Sequence, residues 1–152
     1  MIEGRGYSAL LLSLLIDLAV GNKATACTCM PSPPPIIALT EADAVFEGVV
    51  IDIAVEAKAS ENPNSISSND LMRIRFRVLQ AWKGLEVNET VVFTARDSAS
   101  CGYVFQIGSR YIVYARSGER GLITGCCSRT SLVSKAHTDF RDLGTAKWEA
   151  SP

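Results

Sequence analysis

Two cysteines one residue apart, Cys27-Thr28-Cys29, follow the small-residue triplet Ala24-Thr25-Ala26 and precede a proline-rich run, Met30 to Pro35. The remaining cysteines, Cys101, Cys126 and Cys127, lie far along the chain. In an oxidising compartment thiols pair, and five of them allow two bridges and one spare. A bridge from residue 27 or 29 to one of these distant cysteines closes a long loop, which forces the segment back onto the body of the fold. A zinc site is the rival reading, but Cys-x-Cys with the single histidine His137 is poor zinc spacing. Vicinal Cys126-Cys127 falls at the end of an expected strand, where neighbouring side chains point to opposite faces. The two are then badly placed to bond each other, and each faces a distant partner or burial.

Export is itself readable. Arg5 offers a positive n-region, diluted by Glu3, and Ala9 to Val20 is an apolar run interrupted by Asp17. Ala24-Thr25-Ala26 is the small-x-small pattern that signal peptidase accepts. The run is shorter than the roughly 20 residues that cross a bilayer. Residues 1–26 are therefore expected to be a cleaved signal peptide, an uncleaved anchor or a buried helix being the alternatives, and no membrane span is expected. Ile2-Glu3-Gly4-Arg5 also reads like a protease-tag sequence. Cleavage after Ala26 makes Cys27 the first residue of a secreted, extracellular or periplasmic chain. At 152 residues one domain is expected, over 27–144, with a flexible tail at 145–152. A formal net charge of -1 offers no clustered basic charge for nucleic acid.

The mature chain reads as mainly β. The prolines force an extended start, and Ile36 to Ala42 reads as a short helical turn. Ala44 to Val55 is rich in β-branched residues and predicts a long strand, with Gly48 marking a bulge or bend. Residues 58–70 are the most polar stretch and read as a mobile hairpin loop. Met72 to Val78 alternates, with Met72, Ile74, Phe76 and Val78 on one face and Arg73, Arg75 and Arg77 on the other. Lys83-Gly84 closes that strand. Further strands are expected at Glu89 to Ala95, Gln106 to Ala115 and Leu122 to Cys126. Five strands without crossover helices suit a small closed barrel better than a parallel sheet. From Ser131, the apolar residues Leu132, Val133, Ala136, Phe140 and Leu143 recur at helical spacing, and Gly144 is a plausible stop.

No enzyme is expected. The chain shows no Gly-rich phosphate loop, nucleophile elbow or metal-binding helix motif, and His137 reads as a solvated helix residue. No cofactor and no metal of its own is expected. Asn88-Glu89-Thr90 matches an N-glycosylation sequon between two strands.

Cys27-Thr28-Cys29 running into Met30-Pro31, Ala42-Asp43-Ala44-Val45-Phe46 entering the first strand, Cys101-Gly102-Tyr103, and Cys127-Ser128 together resemble the tissue inhibitors of metalloproteinases. More broadly they resemble netrin-like domains, which adopt the OB fold. The resemblance implies a five-stranded OB-fold barrel with a C-terminal helix and a short N-terminal helical turn. It implies the bridges Cys27–Cys101 and Cys29–Cys127, leaving Cys126 as the spare. It also implies a function, secreted inhibition of zinc metalloproteinases. The free α-amine and carbonyl of Cys27 would chelate the target's catalytic zinc and displace its water. Thr28 would enter the specificity pocket, and Ala99 and Ser100 would form a neighbouring contact ridge. An α-amine with a pKa of about 8 is partly neutral at pH 7 and can donate its lone pair. Leu39-Thr40-Glu41-Ala42 holds no cysteine where the family has one. That departure, with no second cysteine-rich domain, suggests a single-domain relative.

Two other readings compete. An extracellular binding module without inhibition would use the Arg73/Arg75/Arg77 face or the barrel loops. A lipoprotein would carry a lipid on Cys27, capping its amine, although Ala24 replaces the preferred leucine.

Overall fold

A computed structural model describes residues 27–56 and 70–151 of the chain. The expected signal peptide lies outside them, as does the expected hairpin loop apart from Asp70.

A short helix α1, Pro35–Glu41, leads into strand β1, Ala44–Glu56. β2 (Leu71–Lys83), β3 (Glu89–Ala95), β4 (Arg110–Gly118) and β5 (Gly121–Ile123) follow. A two-residue β6 (Ser131–Leu132), helix α2 (His137–Leu143) and a two-residue β7 (Trp148–Glu149) complete the described chain. Pairing runs β1-β2-β3-β5-β4, and β4 pairs back onto β1, so five strands close into a ring. All contacts around the ring are antiparallel except β3 with β5.

β1 closes the ring because it bends. Its register with β2 shifts at Val45/Phe46, Glu47/Gly48 and Val50/Asp52, and such bulges curve a strand. Gly48 stands where a Cβ would meet the Arg77 carbonyl at 3.0 Å and the Phe46 and Phe76 rings at 3.2 Å. Alternation on β2 buries Ile74, Phe76 and Val78 and leaves Arg75 and Arg77 exposed. Inside the ring Phe76 meets Phe46 and Phe105 edge to face, with centroids 5.4 and 5.3 Å apart.

A second apolar layer lies outside the ring. Val45, Trp82, Ile112 and Tyr114 face Ala38 and Ala42 at α1 and Ala136 before α2. Trp82 donates Nε1–H to the Gly144 carbonyl at 2.8 Å. β4 is therefore covered on both faces, which explains its unbroken apolar run Tyr111–Ala115. Glu47, 2% exposed, is compensated by Arg110 Nε (2.9 Å) and Gln80 Nε2 (2.6 Å).

Several sequence expectations need adjustment. The fourth strand begins at Arg110, because Gly108 and Ser109 turn back on Val50 and Gln106. The fifth strand ends at Ile123, so Cys126 and Cys127 lie in a turn and the opposite-faces argument does not apply to them. Ser131 does not cap a helix. It pairs with Ile112 on β4, and α2 starts only at His137. Gly144 does end α2, with φ +64°. The expected loose tail is tied down: Lys147 N–H donates to the Ala81 carbonyl (2.8 Å) and Ala150 N–H to that of Leu79 (2.9 Å). Trp148 packs against the ring core.

Candidate functional site

Residues 27–34 adopt neither helix nor strand, so something other than a backbone ladder must hold them. Cys27 is bonded to Cys101 and Cys29 to Cys127, across 74 and 98 residues. These are the pairs the family resemblance implies. In the chain-entropy model each such loop contributes roughly 4 kcal/mol by restricting the unfolded chain. Four of the five cysteine sulfurs are thereby bonded in pairs, which leaves them no thiolate to offer a metal.

Thr28 lies between the two anchored residues and is exposed. A Cys-x-Cys in extended chain sends both cysteine side chains the same way and the middle residue the other. Met30, 87% exposed, continues the outward-facing segment.

The Cys101 anchor point on the body is itself built. Asp97 receives the Ser100 N–H at 2.8 Å and the Ser100 hydroxyl at 3.0 Å, and so caps a single turn, Ser98–Ser100. These bonds, the backbone one first, hold the Asp97 carboxyl below the ordinary aspartate range. The turn delivers Cys101 in a left-handed conformation, φ 63°, unusual for a residue with a Cβ. Gly102 follows so tightly against the Ala95 carbonyl that any side chain would overlap it. Ala99 and Ser100 thus stand beside the first bridge: the Ala99 carbonyl oxygen lies 3.6 Å from Cys27 Sγ. The structure brings Cys27, Thr28, Ala99 and Ser100 into one neighbourhood.

A third restraint is polar and has no sequence signature. Arg129 donates from Nε and Nη2 to the two Asp139 oxygens at 2.6 and 3.0 Å, and from Nη1 to the Pro33 carbonyl at 2.8 Å. Tyr114 donates its hydroxyl to Asp139 at 2.7 Å. Burial, then the Asp139 bond, push the Tyr114 phenol well above its ordinary pKa. Arg129 therefore ties the end of the N-terminal segment to α2 and β4. Sequence reasoning missed Arg129, Asp139 and Asp97, because hydrogen bonds between distant residues leave no local pattern.

The other candidates lie elsewhere. His137 is exposed at the start of α2. Arg73 lies 3.6 Å from Asp52 and from Glu56, so the arginine row is partly neutralised by its own sheet. Asn88 is exposed in the turn before β3. Among the described residues no helix is long and apolar enough to cross a membrane.

No family model matches the chain. It is similar to the metalloproteinase inhibitor 2 of Canis lupus familiaris, 30% identical over 116 residues, or 74% of this chain and 50% of the relative. The same-named proteins of Homo sapiens and Cavia porcellus are each 32% identical over 103 residues, 66% of this chain and 44% of theirs. The chain spans about half the length of the curated relatives it matches.

Proposed function

From a chain whose domain is a relative of the tissue inhibitors of metalloproteinases, we propose that this protein inhibits zinc metalloproteinases through its processed amino terminus. In this reading residues 1–26 are a signal peptide, and the secreted chain begins at Cys27. Residues 27–144 form a netrin-like domain, and the ring of five strands is its OB-fold barrel. The Cys27 amine and carbonyl oxygen chelate the target's catalytic zinc and occupy the position of its activated water. Thr28 enters the specificity pocket, and Ala99 with Ser100 forms the adjoining ridge. No catalytic role is proposed, in keeping with relatives that are named as inhibitors.

The observation that carries the proposal is the double covalent anchoring of a three-residue segment, Cys27 to Cys29, in which Cys27 is half-buried and Thr28 is exposed. A terminus held in place before binding loses little further conformational freedom on meeting its target. The bare α-amine, with a pKa of about 8, supplies a metal-binding lone pair near neutral pH.

The test is titration of a zinc endopeptidase with protein processed to Cys27. Dose-dependent inhibition is expected, with its loss on acetylation of the amine or on extension by one residue. Full protease activity with the processed protein, or equal inhibition by the acetylated form, would contradict the proposal.

A further inference from the structure

Cys126 carries the free thiol among the described residues, and it does not stand alone. Its sulfur lies 3.7 Å from Cys29 Sγ and 3.7 Å from Cys127 Sγ, the two ends of one bridge. It also belongs to a group with Cys27 and Cys101 whose sulfurs all lie within 4.8 Å of one another. The spare thiol thus sits between both disulfides. Its backbone is pinned there, because Cys126 N–H donates to the Cys101 carbonyl at 2.9 Å. A Cβ at Gly125 would press on that same carbonyl at 2.7 Å, so the turn is tightly seated.

A thiolate in contact with a disulfide is the reactant pair for thiol–disulfide exchange, which needs no outside oxidant or reductant. We propose that Cys126 exchanges with the Cys29–Cys127 bridge, giving the N-terminal clamp a second covalent setting, Cys29–Cys126. The Cys126 thiol releases its proton to solvent, and its sulfur attacks Cys29 Sγ. The Cys29–Cys127 bond breaks as Cys29–Cys126 forms, and Cys127 leaves as a thiolate that takes up a proton. One disulfide and one thiol are present before and after. Attack at Cys127 instead would join adjacent residues, whose Cα atoms are about 3.8 Å apart, short of the roughly 4.4–6.8 Å that disulfides span. Cys29 is therefore the electrophile. Because Cys126 touches the bridge from the side, a rotation of its side chain precedes in-line attack. The exchange moves the Cys29 tether by one residue along the turn. It stands independently of protease inhibition.

Purified oxidised protein incubated without added thiol, then unfolded and trapped with N-ethylmaleimide, tests this. Proteolysis and tandem fragmentation between Cys126 and Cys127 locate the label. The label is expected on both residues, with Cys29–Cys126 and Cys29–Cys127 peptides recovered in a ratio independent of protein concentration. In Cys126→Ser, checked for native circular dichroism, the Cys127 label and the second crosslink are expected to vanish. Label confined to Cys126 with Cys29–Cys127 as its companion bridge would overturn the proposal. So would Cys127 labelling whose rate rises with protein concentration, the mark of exchange between molecules.

Discussion

Residues 27–34 have no helix or strand, and Thr28, Met30 and Pro31 stand exposed, whereas β4 is buried on both faces from Tyr111 to Ala115. The first region is held by two disulfides and one arginine, the second by aromatic packing and backbone ladders on two sides. A segment that keeps its side chains in solvent cannot be fixed by burying them, so its order comes from crosslinks to a body that is fixed by burial. The N-terminal segment and the core are thus held by separate means.

That separation is open to attack from either side. The largest effect should come from the core. Phe76→Ala removes a fully buried ring and should cost about 3–5 kcal/mol in denaturant unfolding. The inhibition constant per folded molecule should stay unchanged. The reverse variant, Cys126→Ser with Cys127→Ala, removes the second bridge and its substitute. Freeing the backbone around Cys29 restores about 1–2 kcal/mol of entropy per residue, so inhibition should weaken roughly 30- to 1,000-fold for two residues. The ring's near-ultraviolet circular dichroism should persist.

Arg129 joins the two regions, and a change there should register in both. Arg129→Lys keeps the charge but loses the fork that reaches Asp139 and Pro33 together. Stability should drop by about 1–3 kcal/mol, with a smaller weakening of inhibition. The smallest effect is a pH response at the ridge. The Asp97 carboxyl is held below its ordinary value of 3.8 by the Ser100 bonds. Its contribution is thus present above that value and lost as pH falls through the lower folded value. Carboxyl titration by nuclear magnetic resonance should give an Asp97 midpoint below 3.8. The Ser100 amide should lose exchange protection only under those acidic conditions, while the β4 amides remain protected.

Much of the ring was legible. β-branched runs marked Ala44–Val55, one residue short of the observed strand, and Glu89–Ala95, and the Arg/apolar alternation marked β2. What escaped was decided by tertiary contacts. Thr124 directs its hydroxyl to the Tyr114 carbonyl at 3.0 Å, and Cys126 is drawn to Cys101, which together end β5 early. Leu132, read as the start of a helix, pairs with Tyr111. Trp148 secures a tail that looked loose because a two-residue strand has no periodicity of its own. At the site the cysteines were visible as residues. The Arg129–Asp139–Tyr114 network was not, since it joins residues on three elements with no shared spacing.

Cobalt in place of zinc in the target protease offers the most direct view of the metal contact. Addition of protein processed to Cys27 should change the visible d–d absorption, as an amine nitrogen and a carbonyl oxygen replace water at the metal. Acetylated protein should leave the spectrum as it was. An unaltered spectrum in a complex shown by gel filtration to have formed would mean that the amino terminus does not reach the metal.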